Sequence, residues 1–159
     1  MRIALGSDRN GLDYKKRIIA HLKELGHETI DVGTEENVPC DTPVFAAKAA
    51  KLVASGDCRY GILLCATGTG MVMAANKIKG ILCGLGYADL TEYMRKHNDA
   101  NMIAFGQKHM GYEDVEHRVD IFLSTDFVGG HHAPRVQQVR DLEEGKEIRQ
   151  TPIMNPDWR

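Results

Sequence analysis

The sequence lacks most of the features that mark membrane, secreted and metal-binding proteins. No apolar run approaches the roughly 18 residues that a membrane-spanning helix requires, and Met1–Gly6 does not begin the long apolar region of a secretion signal. The four cysteines form no Cys-x-x-Cys pair, and the seven histidines form no His-Glu-x-x-His motif, so neither a zinc site nor another metal site is expected. We therefore expect a cytoplasmic protein with reduced thiols.

The sequence also lacks a strong charge of either sign. Its net charge of −2 gives no electrostatic reason to expect binding to nucleic acid or to a membrane surface. Neither an internal repeat nor a low-complexity segment is present. A chain of 159 residues, 43% of them hydrophobic, fits one domain with a sizeable core. We expect that domain over residues 1–147 and a C-terminal tail over 148–159.

What the chain does contain is a cysteine at a predicted strand-to-helix junction. Apolar residues at Ile62–Leu64 predict a buried strand, Cys65 follows, and a small-residue loop leads to a helical pattern from Met71. Backbone N–H groups at a helix N-terminus have no internal acceptors, so those of Gly68–Met71 favour negative charge, including a thiolate. The stretch offers a base or nucleophile beside an oxyanion cradle. The stretch matches neither the dinucleotide fingerprint nor a P-loop. The alternative to a catalytic cysteine is a small core cysteine beside a loop that binds phosphate without catalysis.

Strand and helix patterns alternate along the whole chain. Strands are predicted at 3–6, 27–32, 60–64, 81–86 and 102–105, and helices at 12–25, 41–56, 69–78, 88–96, 112–123 and 135–146. This alternation predicts a single three-layer α/β/α, Rossmann-like domain around a five-stranded parallel sheet. The loops after the strands carry possible ligand-binding residues to one rim, namely Asp8, Arg9, Cys65–Gly70, Tyr87–Asp89 and Lys108. His97 and Asn98 precede the last strand, so they start at the opposite rim, and a second subunit could bring them to the site.

Several motifs, in the right order, resemble those of the ribose-5-phosphate isomerase B and galactose-6-phosphate isomerase family over roughly residues 2–145. These motifs are Gly6-Ser7-Asp8 with Gly11, Ile30–Thr34, Cys65–Met71, Ala74–Lys77, His97–Asn101, Gly129-Gly130 with His132, and Arg135-Val136. The resemblance implies an aldose–ketose isomerase for a phosphorylated sugar, of the ribose 5-phosphate/ribulose 5-phosphate type, that acts through a cis-enediol intermediate. It also implies a homodimer or a dimer of dimers with shared active sites, no metal or organic cofactor, and a place in the pentose phosphate pathway.

The resemblance also implies roles for individual residues. Cys65 would be the proton-transfer base, Thr67 a hydroxyl that passes a proton, and His97 the acid–base that opens the sugar ring. The implied substrate-binding residues are Asp8, Arg9, Ala66, Thr67, Gly68, Thr69, Gly70, Asn98, Lys108, His131 and Arg135. Less specific alternatives are that Asp8 caps a helix and that His97-Asn98 joins two subunits without acting on substrate.

Four positions depart from the family pattern. Arg9 stands where the family commonly has histidine and His131 where it commonly has arginine, so the two residue types have exchanged places. Lys108 replaces an arginine, and Thr42 replaces a tyrosine near the sugar, which predicts a wider or re-shaped pocket. Other substrates are therefore open, including galactose 6-phosphate, allose 6-phosphate and a tetrose phosphate. A non-catalytic sugar-phosphate sensor and a redox-sensing thiol protein are alternatives of a different class.

Overall fold

A computed structural model describes residues 1–150, so most of the expected tail lies outside the described residues. The strands are β1 (Arg2–Ser7), β2 (Glu28–Asp31), β3 (Tyr60–Cys65), β4 (Cys83–Leu85) and β5 (Met102–Gly106). The helices are α1 (Leu12–Glu24), α2 (Thr42–Ala54), α3 (Thr69–Ala75), α4 (Leu90–Lys96), α5 (Tyr112–Ser124) and α6 (Ala133–Glu143). Short 3₁₀ turns cover Arg9–Gly11 and Gly130–His132. Among residues 1–150, no helix combines the length and the apolar character needed to cross a membrane.

The five strands form one parallel sheet in the order β2-β1-β3-β5-β4. Side chains alternate between its two faces, as the pleat requires. Ile62 and Leu64 pack with residues of α1 and α5 on one face, whereas Leu63 and Cys65 pack with residues of α2 and α3 on the other. The predicted three-layer α/β/α arrangement is therefore confirmed.

The segment around β4 is shorter than the sequence pattern predicts. Helix α3 ends at Ala75 rather than near residue 78, and β4 covers three residues rather than 81–86. The side-chain amide of Asn76 brackets Cys83, accepting from its N–H at 2.8 Å and donating to its C=O at 2.9 Å. Leu82 donates its N–H to Asn101 Oδ1 at 2.9 Å instead of to a strand. Side chains of Asn76 and Asn101 thus bind the backbone at the start of β4, whereas beyond its end the Gly86 N–H still donates to Ala104 O at 2.9 Å.

Helices α4 and α6 also differ from the prediction at their ends. Helix α4 starts at Leu90 rather than at Ala88, because Ala88 has a positive φ of 46° that a right-handed helix does not allow. Helix α6 spans Ala133–Glu143 rather than 135–146. It begins directly after the 3₁₀ turn, with Pro134 in its first turn, and Gly145 at φ 72° lies just beyond its end.

Candidate active site

Cys65 is the last residue of β3 and lies at the predicted junction of strand and helix. Its side chain is 5% exposed, and the N–H of Gly68 donates to its Sγ at 3.0 Å. Gly68 reaches this position at φ +79°, and a Cβ there would lie 2.6 Å from Leu85 Cδ1. Only glycine fits both conditions without displacement, so the sequence at Gly68 creates the amide–sulfur contact.

The end of β5 holds the loop after Cys65 in place. Gln107 and Lys108 donate their N–H groups to the carbonyls of Cys65 at 2.9 Å and Ala66 at 3.1 Å. A Cβ at Gly106 would lie 2.7 Å from the carbonyl carbon of Thr67, so glycine permits this close approach. The backbone of Lys108 therefore lies beside the Cys65 loop, as the rim prediction required.

The rest of this loop is open to solvent. Thr67, Thr69 and Gly70 are exposed, whereas Ala66 is half-buried. Thr67 Oγ1 accepts from the N–H of Thr69 at 3.4 Å, and the Thr67 carbonyl accepts from Tyr87 Oη at 3.4 Å. A ligand could therefore reach the Thr67 hydroxyl and the backbone next to it.

Asp8 lies on the same rim, directly after β1, and its N–H donates to Leu64 O at 3.3 Å. It is 5% exposed. Its Oδ1 accepts from the N–H of Asn10 at 2.8 Å and caps the 3₁₀ turn, so the capping alternative is confirmed. Arg9 follows on the exposed surface.

Thr42 also contacts Asp8, and sequence analysis did not predict this contact. The Thr42 hydroxyl donates to Asp8 Oδ2 at 2.7 Å. Asp41 precedes the first residue of α2, but its side chain makes no capping hydrogen bond. The threonine of the Asp-Thr-Pro sequence thus supplies a hydroxyl that holds the Asp8 carboxylate in one orientation.

The opposite rim carries the histidine-rich part of the predicted site. His97 ends α4, and its ring stacks on His132 with centroids 4.0 Å apart and planes 13° apart. The rings of His131 and His132 are also 4.0 Å apart. Asn98 and Arg135 line a cavity of about 350 Å³ with β4, α4 and α6. This cavity does not adjoin Cys65.

A single copy of the chain does not bring the two groups together. Cys65 lies at the carboxyl end of β3, whereas His97 lies before the amino end of β5. A strand rises about 3.3 Å per residue, so a five-residue strand separates the rims by roughly 15 Å. The Cys65 rim also carries Asp8, Arg9, Ala66–Gly70 and Lys108. The His97 rim also carries Asn98, His131 and Arg135.

Local electrostatics distinguish the groups at the second rim. The pKa of His132 is lowered, first by loss of hydration and then by the nearby positive charges of His131, His97 and Arg135. Burial raises the pKa of Cys83, in the cavity wall, to about 12, so this thiol stays protonated at neutral pH. Within residues 1–150, no three His, Cys, Asp or Glu side chains are grouped so that they could hold a metal ion.

Sequence analysis missed one side chain that supports the Asp8 rim. Lys15 is fully buried, and its Nζ donates to Thr34 O at 2.7 Å and pairs with Asp31 Oδ2 at 2.7 Å. It therefore ties α1 to the end of β2. A lysine in an amphipathic helix normally predicts an exposed position. The sequence offered one indication of a buried ion pair, which was an aspartate, Asp31, within the motif Ile30–Thr34 that resembles the family.

Comparisons with known proteins identify the family of this chain. The Ribose/Galactose Isomerase family profile matches residues 3–139. Ribose-5-phosphate isomerase B of Escherichia coli K12 is 40% identical over 146 residues, which cover 90% of this chain and 97% of that protein. A galactose-6-phosphate isomerase subunit of Clostridium acetobutylicum is 38% identical over 129 residues, which cover 80% of this chain and 74% of that subunit.

Solved structures give the same result. Ribose-5-phosphate isomerase B of Clostridium thermocellum superposes with a TM-score of 0.89 at 40% identity, covering 91% of this chain and 99% of that one. The Mycoplasma genitalium enzyme, solved with bound ribulose-5-phosphate, gives 0.85 at 34% identity, covering 90% of this chain and 96% of that one.

Proposed function

The chain belongs to the ribose/galactose isomerase family, and we propose that it interconverts ribose 5-phosphate and ribulose 5-phosphate through a cis-enediol. The observation that carries the chemistry is the contact of Cys65 Sγ with the Gly68 N–H at 3.0 Å. Two similar proteins support the choice of sugar, namely the Escherichia coli enzyme and the Mycoplasma genitalium enzyme that holds ribulose-5-phosphate.

Isomerisation moves a hydrogen between C1 and C2 of the sugar. A base must remove a proton from the carbon beside the carbonyl and return it to the neighbouring carbon. We assign this base to Cys65, because the Gly68 N–H stabilises negative charge on its sulfur. The Gly68 amide donates to the sulfur and the Thr69 amide to Thr67 Oγ1, so we assign the enediolate oxygens to the amides of Ala66, Thr67 and Gly70. Loss of one such donor costs about 3–4 kcal/mol in a transition state.

The remaining steps fall to side chains on both rims. Thr67 is an exposed residue two positions after Cys65, and its hydroxyl passes a proton between the two oxygens. His97 opens the furanose ring as an acid–base, because imidazole exchanges protons near neutral pH. Asp8 and Asn98 bind sugar hydroxyls. Arg9, Lys108, His131 and Arg135 supply the positive charge for the phosphate.

The separation of the two rims supports a site shared between copies of the chain. Cys65 and His97 cannot meet within one copy, so a homodimer, or a dimer of dimers, would bring His97 of one copy to Cys65 of another. The exchange of Arg9 and His131 relative to the family pattern supports the same arrangement. Arg9 and His131 lie on opposite rims of one copy. If two copies build each site, the two positions meet at the same phosphate, so the exchange still leaves one arginine and one histidine there.

The substrate assignment is tested by steady-state rates on a panel of sugars. We expect ribose 5-phosphate to have the highest kcat/KM among ribose 5-phosphate, galactose 6-phosphate, allose 6-phosphate, erythrose 4-phosphate and unphosphorylated ribose. A higher value for a hexose phosphate would replace our substrate and keep the reaction class. A chain that binds ribose 5-phosphate but does not exchange its C2 hydrogen in deuterated water would be a sensor.

Cys65→Ala is expected to abolish proton transfer without abolishing binding. The variant removes the base, so deuterium should no longer enter C1 of ribulose 5-phosphate in deuterated water, as followed by NMR. Binding of ribulose 5-phosphate, measured by calorimetry, should stay within about tenfold, because the phosphate and hydroxyl contacts remain.

Cys83→Ala is the matched control for this variant. Cys83 is also buried at a strand, but its thiol stays protonated and lies outside the Cys65 loop. The control should exchange deuterium at the wild-type rate. Normal exchange by Cys65→Ala would rule out the assigned base.

His97→Ala is expected to separate ring opening from proton transfer. Ribulose 5-phosphate cannot close a five-membered ring, because its C5 oxygen carries the phosphate, so deuterium entry at its C1 needs no ring step. Exchange at C1 should persist, whereas turnover of ribose 5-phosphate should fall on the order of 10²–10⁴-fold, the usual contribution of general acid–base catalysis. Equal losses in both assays would count against the ring-opening role.

A catalytic thiolate also constrains where the enzyme works. Cys65 acts as a base only while it is reduced, so we propose that the protein functions in a reducing compartment such as the cytoplasm.

A further inference from the structure

Arg95, in the last turn of α4, is a buried cation that no step of the reaction uses. It is 3% exposed. Its guanidinium donates to four oxygens, which are Thr125 O at 3.1 Å, Ala100 O at 2.6 Å, Asp99 Oδ1 at 3.2 Å and Tyr60 Oη at 2.9 Å. One side chain thus joins the ends of α4 and α5 to the starts of β3 and β5. A buried charge needs a counter-charge, and Asp99 supplies it.

Asp99 occupies a backbone conformation that aspartate rarely adopts. Its φ is 50°, in the left-handed region where a helix end usually has glycine or asparagine. Its two carboxylate oxygens contact two arginines, Arg95 at 3.2 Å and Arg140 at 3.3 Å. These ion pairs give a reason for a carboxylate at a position where backbone preference favours other residues.

The two arginines connect the predicted site residues of the second rim. His97 and Asn98 lie between Arg95 and Asp99 in the chain, so the polar contacts of Arg95 and Asp99 hold the backbone on both sides of them. Arg140 lies on α6, the helix that also carries Arg135. A further bond, from the Val128 N–H to Lys96 O at 3.1 Å, ties the segment before the 3₁₀ turn to the end of α4.

We propose that Arg95 and Asp99 are positioning residues that hold His97 against His132 and Asn98 beside Arg135. The identity of the step that they serve, ring opening, rests on the proposed function. Neither residue needs to touch the substrate, because their effect passes through the His97–Asn98 loop. A misplacement of about 1 Å can cost on the order of 10²-fold in rate. Loosening this loop should therefore slow the conversion of ribose 5-phosphate and leave proton transfer on ribulose 5-phosphate unchanged.

Two variants test the ion pairs of Asp99, one by changing both pairs and the other by changing only the pair with Arg140. Asp99→Asn keeps the side-chain size and a residue that tolerates the left-handed region, but it removes the charge from both ion pairs. Arg140→Gln breaks only the partly exposed ion pair between α6 and Asp99. Because it removes no buried charge, we expect this variant to fold even if Asp99→Asn folds poorly. Arg140→Lys restores a positive charge. The matched control is Arg2→Gln, which breaks an exposed pair with Glu28 at 3.0 Å.

The first measurement needs no substrate. The ring current of His132 shifts the imidazole proton resonances of His97, because the two rings are stacked 4.0 Å apart. In Asp99→Asn and Arg140→Gln these resonances should move toward the values of a free histidine, whereas Arg140→Lys and Arg2→Gln should keep the wild-type shifts. The second measurement compares ribose 5-phosphate turnover with deuterium entry at C1 of ribulose 5-phosphate. Turnover should fall about tenfold in Asp99→Asn and about threefold in Arg140→Gln, with deuterium entry within about twofold of wild type.

Several results would overturn the assignment. Unchanged His97 resonances in Arg140→Gln and Asp99→Asn would show that the ion pairs do not hold the ring. Equal losses of turnover and deuterium entry would show general damage to the fold rather than positioning. If the wild-type chain converts no sugar phosphate, the proposed function fails on its own, and the His97 resonances still decide whether the two residues position the loop.

Discussion

Asp8 shows how one side chain serves the fold and the proposed site together. Its carboxylate caps the 3₁₀ turn through Asn10 and accepts a hydrogen bond from the Thr42 hydroxyl. An ionised carboxylate has about four acceptor sites, so two remain for sugar hydroxyls. The two internal bonds fix the direction in which those remaining sites point.

Thr42→Val is expected to loosen this carboxylate. The substitution removes the hydroxyl with little change in volume, and a hydrogen bond to a charged group contributes about 1.5–3 kcal/mol. Urea denaturation should show a loss of that size in the free energy of unfolding, and KM for the sugar phosphate should rise. Thr42→Ser, which keeps the hydroxyl, is the control and should recover most of both losses. Equal stability of the valine and serine variants would contradict the role of the bond.

Cys65 and Cys83 have the same side chain in different surroundings. Both are buried at strands, but the Gly68 N–H contacts Cys65 Sγ, whereas burial raises the pKa of Cys83 to about 12. The difference comes from position, because Cys65 ends its strand at a turn in which the Gly68 N–H faces the sulfur. This contrast is why Cys83→Ala is a suitable control for the catalytic variant.

At the scale of elements, the second rim depends on contact between the end of α4 and the 3₁₀ turn before α6. The His97 and His132 rings stack across this contact. The pKa of His132 is lowered by loss of hydration and by neighbouring positive charge. Folding therefore disfavours protonation of His132. The resulting stabilisation is present above the unfolded-state pKa of about 6.5 and is lost as the pH falls through the lower folded-state pKa.

His132→Gln is expected to reduce the acid sensitivity of the fold. The glutamine does not titrate, so the melting temperature of the variant should fall less than that of wild type between pH 7 and pH 5. His117→Gln, on the exposed surface of α5, is the control and should follow wild type. An identical pH dependence for His132→Gln and wild type would rule out this contribution.

At the scale of the whole molecule, the parallel sheet decides which residues can meet. All five strands run in the same direction, so Asp8, Cys65 and Lys108 gather at the carboxyl ends. His97 and Asn98 precede β5 and must lie at the other end. The sheet therefore divides the proposed catalytic residues into two sets within each copy, and in the proposed mechanism a second copy completes each site.

Mixing two inactive variants tests this division directly. Cys65→Ala and His97→Ala chains, refolded together, should form hybrid dimers in which one site has an intact Cys65 and an intact His97. Random assembly makes half of the dimers hybrid, so about a quarter of the wild-type turnover of ribose 5-phosphate should return. Cys65→Ala refolded with the double variant Cys65→Ala/His97→Ala is the control and should stay inactive. No recovery in a sample that contains hybrids by mass spectrometry would refute the shared site.

Much of this architecture could be predicted from the sequence, because it depends on local patterns. The alternation of strands and helices predicts the three-layer fold, and the position of Cys65 between them predicts the contact of its sulfur with a backbone amide. The motif order predicts the family. The ends of α3 and β4 could not be predicted, because Asn76 and Asn101 replace backbone pairs there through side-chain bonds.

The sequence by itself determined the order of the elements, the rim on which each loop lies, and the chemical groups available for catalysis, since these follow from periodicity along the chain. Only the tertiary structure decided that Thr42 fixes Asp8, that Lys15 is buried against Asp31, and that Arg95 and Asp99 join α4 to α6. These contacts join residues whose pairing leaves no periodic signal in the chain. A charged side chain has the same letter in the sequence whether it is solvated or buried against a counter-charge, and folding alone determines which of the two it is.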